Sequence, residues 1–102
     1  MEEIKDIIRQ MDKAFDSRVR IGIMAILLPE QWVDFNELKT KLGVTDGNLA
    51  SHMSSLERKK FIEIHKQFVG KRPNTSYKIT TKGKEGYAKY LVSLKKLLNI
   101  KQ

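Results

Sequence analysis

Residues 34–60 read DFNELKTKLGVTDGNLASHMSSLERKK, and this stretch decides the fold. Asp34 followed three residues later by Glu37 is a capping-box pattern. It opens a short helix, FNELKTKLG, with Phe35, Leu38 and Leu42 inward. Gly43 is a C-terminal stop, because glycine enters the left-handed region without a Cβ penalty. Only Val44 then separates it from Thr45, the N-cap of a second helix whose Leu49, Met53 and Leu56 recur on one face. Two short helices joined by so tight a turn make a helix-turn-helix pattern.

The second helix has an unusual outside. Solvated helix faces are usually filled with Glu, Lys, Gln and Arg, which are good helix formers. This one carries Gly47, Asn48, Ser51, His52 and Ser55, which are small or uncharged and poor helix formers. At 100° per residue Asn48, Ser51, His52, Ser55 and Lys59 lie on one arc, opposite Leu49, Met53 and Leu56.

Upstream, Ile4, Ile7, Ile8, Met11 and Phe15 predict an amphipathic helix within residues 1–15. Ser17 or Asp16 can cap a helix over RVRIGIMAILLPE, with Ile21, Met24, Ala25 and Leu28 towards the core and Pro29 at its end. QWVDF leaves room for a short extended segment only. Downstream, FIEIHKQFV alternates Ile62 and Ile64 with Glu63 and His65 and predicts a strand. GKRPN is the turn and TSYKIT the return strand, with Tyr77 and Ile79 on one face. The hairpin tip, Lys71-Arg72, is basic. Thr80 or Thr81 caps a last helix whose Tyr87, Tyr90, Leu91, Leu94, Leu97 and Leu98 form a broad apolar stripe.

The 102-residue chain has the size of one domain. It has no cysteine and two histidines, which excludes disulfides and thiolate metal sites and leaves no basis for a metal or other cofactor. The acidic start MEEIKDIIRQ does not resemble a secretion signal, and IGIMAILLP falls far short of the ~20 apolar residues that span a bilayer. A cytoplasmic protein without a membrane partner is therefore expected. The net charge of +8 is unevenly spread: −1 over residues 1–45, +6 over 46–84 and +3 over 85–102. Such concentration suits a polyanion-binding surface. Catalysis finds little support, since there is no Cys nucleophile, no triad-like neighbourhood of either His, and no complete phosphate-binding loop around Gly70-Lys71.

Taken in order, RIGIMAIL, FNEL, TDGNLASHMSSLE, the basic hairpin and SYKITTKG resemble compact winged helix-turn-helix transcription regulators of the MarR/ArsR type. The resemblance runs from about Arg18 to Gly86. It implies a mainly α fold with a small β-hairpin (α+β): a single winged-helix domain over 1–102, with the helix-turn-helix at 34–60 and the wing hairpin at 61–80. It also implies a homodimeric DNA-binding repressor or activator, with the recognition helix at Thr45–Lys60 and the wing at Gly70–Asn74. The cysteine-containing metal-sensing motif of many ArsR members is missing, and the chain is shorter than typical MarR proteins.

Within this frame the major groove of B-DNA admits one helix, and short polar side chains reach its base edges. Asn48 can bond adenine in bidentate fashion, Ser51 and Ser55 can contact bases or phosphates, and His52 can donate to guanine or phosphate. Thr45 caps the helix and can bond a phosphate. Gly47 leaves backbone N–H groups open to a phosphate at the positive end of the helix dipole. Asp46 suits that dipole but repels DNA, so it is expected to turn away. Lys59 completes the arc, and Lys71 and Arg72 are expected on phosphates beside the helix or in the minor groove. Lys78, Lys82 and Lys84 are further candidates for backbone contacts.

The terminal helices, 1–15 and 81–100, carry more apolar surface than a chain of this size easily covers. Pairing them across a two-fold axis would hide Ile4, Ile7, Met11, Tyr90, Leu94 and Leu97 and set two recognition helices about 34 Å apart, predicting a pseudo-palindromic site in double-stranded DNA. Alternatively both helices close the core of a monomer. A second functional reading is a winged-helix protein-interaction module without DNA binding.

Overall fold

The structure, a computed structural model, describes residues 2–100; Met1, Lys101 and Gln102, at the ends of the 1–102 domain, lie outside the described residues. In chain order it comprises α1 (Ile4–Arg9), a 3₁₀ turn (Lys13–Phe15), α2 (Arg18–Leu27), β1 (Val33–Asp34), α3 (Phe35–Leu42), α4 (Asp46–Arg58), β2 (Ile62–Val69), β3 (Arg72–Ile79) and α5 (Thr81–Leu98). The α+β winged-helix architecture expected from the sequence is the one observed.

The helix boundaries follow the capping chemistry. Ser17 Oγ accepts from the Arg20 N–H at 3.2 Å, and Asp34 Oδ1 from the Glu37 N–H at 2.8 Å. Thr45 Oγ1 accepts from the Asn48 N–H at 3.2 Å, and Thr80 Oγ1 from the Gly83 N–H at 2.9 Å. Each cap satisfies a donor that the helix itself leaves unpaired, typically worth about 1 kcal/mol. Gly43 ends α3 at φ +65°, its N–H donating to the Lys39 carbonyl at 2.9 Å.

The single helix expected over the first fifteen residues is divided. α1 stops at Arg9, and Asp12 Oδ1 accepts from the Ala14 N–H at 2.8 Å to start the separate 3₁₀ turn. This side-chain bond competes with helical pairing and redirects the chain, driving Phe15 fully into the core. In α2 the buried face is Ile23, Met24 and Leu27, while Ile21 is half-buried and Ala25 and Leu28 are exposed. The helix is apolar nearly all round, so periodicity could not select its inner face.

The three-stranded sheet has the order β1-β3-β2, all antiparallel. Val33 and Asp34 pair with Tyr77 and Ser76, so the short extended segment becomes a third strand before Asp34 turns to cap α3. β2 and β3 pair from Ile62↔Ile79 out to Val69↔Arg72. The wing turn is therefore Gly70-Lys71 alone, shorter than the anticipated GKRPN, with Gly70 at φ +65°. Arg72, Pro73 and Asn74 belong to β3. Pro73, paired with Phe68, lies beyond the reach of two-residue β1, so its missing N–H faces no partner strand.

An aromatic cluster ties the ends together. Phe15 stacks on Phe61 at 4.8 Å between ring centroids and meets Tyr87 and Tyr90 edge-on at 6.0 and 5.5 Å. The Tyr87 hydroxyl donates to the Ile21 carbonyl at 3.3 Å and that of Tyr90 to Asp16 Oδ1 at 3.1 Å. Burial holds both phenols above the ordinary tyrosine range, and for Tyr90 the Asp16 bond adds to it. Both therefore stay protonated donors. α5 starts close against this junction: a Cβ on Gly83 would lie 2.0 Å from the Phe61 carbonyl oxygen.

Candidate nucleic-acid interface

α4 buries Leu49, Met53 and Leu56, the three residues expected inward. The helix crosses the domain with Thr45, Asp46, Gly47, Asn48, Ala50, Ser51, Ser54, Glu57 and Arg58 exposed. Helical geometry sets Gly47, Ser51, Ser54 and Arg58 along the line opposite the buried three. The outward face is thus rotated from the expected arc, because His52 and Ser55 are drawn half into the fold. Ala50, Ser54 and Arg58 were not anticipated. Their exposure depends on which flank of α4 is covered, and the heptad of buried residues fixes that only to within a position or two.

His52 is held by a neighbour 32 residues away in sequence. Arg20 Nε on α2 donates to His52 Nδ1 at 2.8 Å, and Arg20 Nη1 donates to the Ala14 carbonyl at 3.2 Å. Desolvation, and secondly the Arg20 charge, push the imidazole below its ordinary value of 6.5. At the C-terminal end of α4, Lys59 lies 3.5 Å from Asp12 Oδ2 and over the Phe61 ring. Its charge is directed towards the start of the chain rather than along the outward arc.

At the N-terminal end the acidic residue is neutralised. Asp46 Oδ1 pairs with Lys39 Nζ of α3 at 2.7 Å, consistent with the expectation that it turns aside. A Cβ added at Gly47 would meet nothing within 4 Å and its φ is not positive, so neither space nor backbone conformation requires glycine there. Of the first-turn N–H groups, that of Asn48 is taken by Thr45 Oγ1 and that of Leu49 by the Thr45 carbonyl, while those of Asp46 and Gly47 have no acceptor within the helix.

The β2-β3 hairpin extends beside this helix. Ala50, Ser54 and Glu57 of α4 face Lys66 and Thr75 of the hairpin across an open groove of about 370 Å³. Lys71 and Arg72 are exposed at the wing tip. Among the described residues, no carboxylate lies in ion-pair range of Arg58, Lys66, Lys71 or Arg72. The tip also carries apolar surface that sequence reading passed over, Phe68 at 74% exposure with Val69 beside it. Lys84 pairs with Glu30 at 2.9 Å, while Lys78 and Lys82 rest over Trp32 and Phe61.

Of the residues expected at a subunit interface, Ile7 (3% exposed) and Tyr90 (6%) are buried within the chain itself. Met11, Leu94 and Leu97 are half-buried, and Ile4 is exposed. The free apolar surface instead comprises Ile4 and Ile8 on α1 with Leu91, Val92 and Leu98 on α5. Among the described residues no helix is long and apolar enough to cross a membrane, and no His/Cys/Asp/Glu group is arranged to hold a metal ion.

Comparison with known proteins agrees with this geometry. Residues 19–98 match the family model described as a winged helix DNA-binding domain. The chain is 40% identical over 85 residues to the uncharacterized protein MJ0432 of Methanocaldococcus jannaschii, covering 83% of this chain and 92% of that one. Among solved structures it is similar to a transcriptional regulator homologue from Pyrococcus horikoshii, with TM-score 0.82 and 36% identity over 97% of this chain and 96% of that one. It also shares its fold with S. aureus MepR, solved as a DNA complex, at TM-score 0.71 and 19% identity over 94% of this chain and 79% of that one. The resemblance to winged helix-turn-helix regulators read from the sequence is thereby borne out, and the chain belongs to the winged helix DNA-binding domain family.

Proposed function

We propose that the protein is a sequence-specific double-stranded-DNA-binding transcriptional regulator that acts as a homodimer and represses by occupying its site. The observation that carries this reading is the pairing of an exposed α4 face with little charge, Gly47-Asn48-Ser51-Ser54, with the unpaired cations Lys66, Lys71 and Arg72 of the adjoining wing. Short polar side chains suit base edges, while the cations suit the phosphates that flank them. Neutralisation of Asp46 by Lys39 removes the one charge at the helix start that opposes a phosphate. In the homodimer, the apolar faces of α1 and α5 cover one another and set two α4 helices about one DNA turn, ~34 Å, apart.

Titration with a random-sequence duplex at low salt tests the reading. Binding is expected, with log K falling as salt rises by a slope near −0.9 for each phosphate neutralised. Failure to bind any duplex at tens of micromolar protein would leave the protein-interaction reading in its place.

A further inference from the structure

Arg20 and His52 form a contact that DNA binding as such does not require. Arg20 Nε donates to His52 Nδ1 at 2.8 Å, and the same guanidinium is anchored by its bond to the Ala14 carbonyl at 3.2 Å. The Arg20 backbone is itself fixed, its N–H capped by Ser17. A guanidinium has donors only and does not lose its proton in proteins. Nδ1 must therefore offer a lone pair, and a neutral imidazole with an accepting Nδ1 carries its hydrogen on Nε2. Among the described residues nothing is bonded to Nε2, and the ring is only half-buried on the flank of α4. Asn48 stands four residues earlier, so the two side chains are neighbours on the helix surface.

We propose that Arg20 is a positioning residue for DNA recognition: it locks His52 in the Nε2–H form, so that α4 presents one fixed hydrogen-bond donor, next to Asn48, to an acceptor on a base edge in the major groove. A purine N7, guanine O6 or thymine O4 meets that description. An unrestrained imidazole exchanges between tautomers and offers either a donor or an acceptor at the same point. The contact to Arg20 removes the second option and with it part of the tolerance for the wrong base. This role rests on the DNA-binding reading above.

The test has two arms, on the full chain. In the free protein, ¹H–¹⁵N NMR of the imidazole rings at pH 7.5 should find His52 protonated at Nε2 and unprotonated at Nδ1, with Arg20→Met collapsing this to a tautomer average. In the second arm, affinity is measured for a duplex selected from a random pool by the unaltered protein and for random duplex. Arg20→Met should lose about tenfold of the preference while random-duplex affinity stays within about twofold. Arg20→Lys, which can still donate to Nδ1, should recover part of it. His52→Gln should keep most of it, since its amide can accept from Arg20 and donate outward at once. An Nδ1–H ring in the free protein would overturn the proposal. So would an Arg20→Met variant that weakens both duplexes equally, since Arg20 would then be acting on phosphates or on the fold. If the unaltered protein binds no duplex, DNA recognition and this role fall together, while the NMR arm still reports whether the tautomer is locked.

Discussion

At the residue scale, single atoms decide how the proposed recognition surface is set. His52 is the clearest case, because its burial against Arg20 favours the neutral ring. Its folded value lies below the unfolded one, so the unfolded chain binds the extra proton first. Stability from the neutral contact is fully present above about pH 6.5 and declines as pH falls through the interval below it. The thermal midpoint should therefore drop on acidification from pH 7.5 to 5.5, and His52→Gln should remove that part of the slope in a calorimetric series. Gly83 makes a different demand. A methyl group there collides with the Phe61 carbonyl, and Gly83→Ala should cost about 1–3 kcal/mol in denaturant unfolding despite alanine's better helix propensity. Gly47, with open space around it, should accept alanine with little loss of stability; any loss should be in DNA affinity.

At the element scale, the proposed DNA binding divides recognition between the helix-turn-helix and the wing. Lys71 lies in the two-residue turn and Arg72 directly after it, at the end of two eight-residue strands. A Lys71→Glu, Arg72→Glu double variant should fold normally and lose affinity for all duplexes alike, with a shallower salt dependence in gel-shift titration. Asn48→Ala should instead relax sequence preference and leave random-duplex affinity nearly unchanged. Much of this scale was legible in advance. The caps Asp34 and Thr45 and the stop at Gly43 are local chemistry, complete within three or four residues, whereas the sequence left Ser17 open against Asp16 and Thr80 against Thr81. The wing's length was less legible. Arg72-Pro73-Asn74 has turn composition, and only pairing with Gln67-Phe68-Val69 makes it strand.

At the scale of the whole molecule, the chain is elongated. Its extents are 58 × 25 × 21 Å and its radius of gyration 15.4 Å, against about 13 Å for a compact domain of this length. α1 and α5 each leave apolar side chains exposed, with Ile8 at 54% and Val92 at 57% exposure. Covering these faces with a second copy is the basis of the proposed dimer. Sedimentation at tens of micromolar should give about twice the 11.8 kDa chain mass, and an Ile8→Glu, Val92→Glu double variant should return it to the monomer mass without unfolding. A wild-type monomer mass would remove the dimer.

What the sequence determined by itself was local and periodic. It specified the Asp34 and Thr45 caps, the tight Gly43–Thr45 turn, the buried Leu49-Met53-Leu56 face and the alternation that makes β2 a strand. These depend on neighbours within a few positions, so they are written in the order of the residues. The tertiary structure decided what depends on distant partners. It ended the first helix at Arg9 ahead of the Asp12-capped turn, chose the inner face of an α2 that is apolar nearly all round, and drew Ile7 and Tyr90 inside while leaving Ile8 and Val92 out. It also turned His52 Nδ1 towards Arg20 and Lys59 towards Asp12, which centres the open arc of α4 on Gly47, Ser51, Ser54 and Arg58 and leaves the half-buried His52 ring at its edge. Side chains at one helical spacing compete for burial, and the winner is whichever finds a partner across the fold.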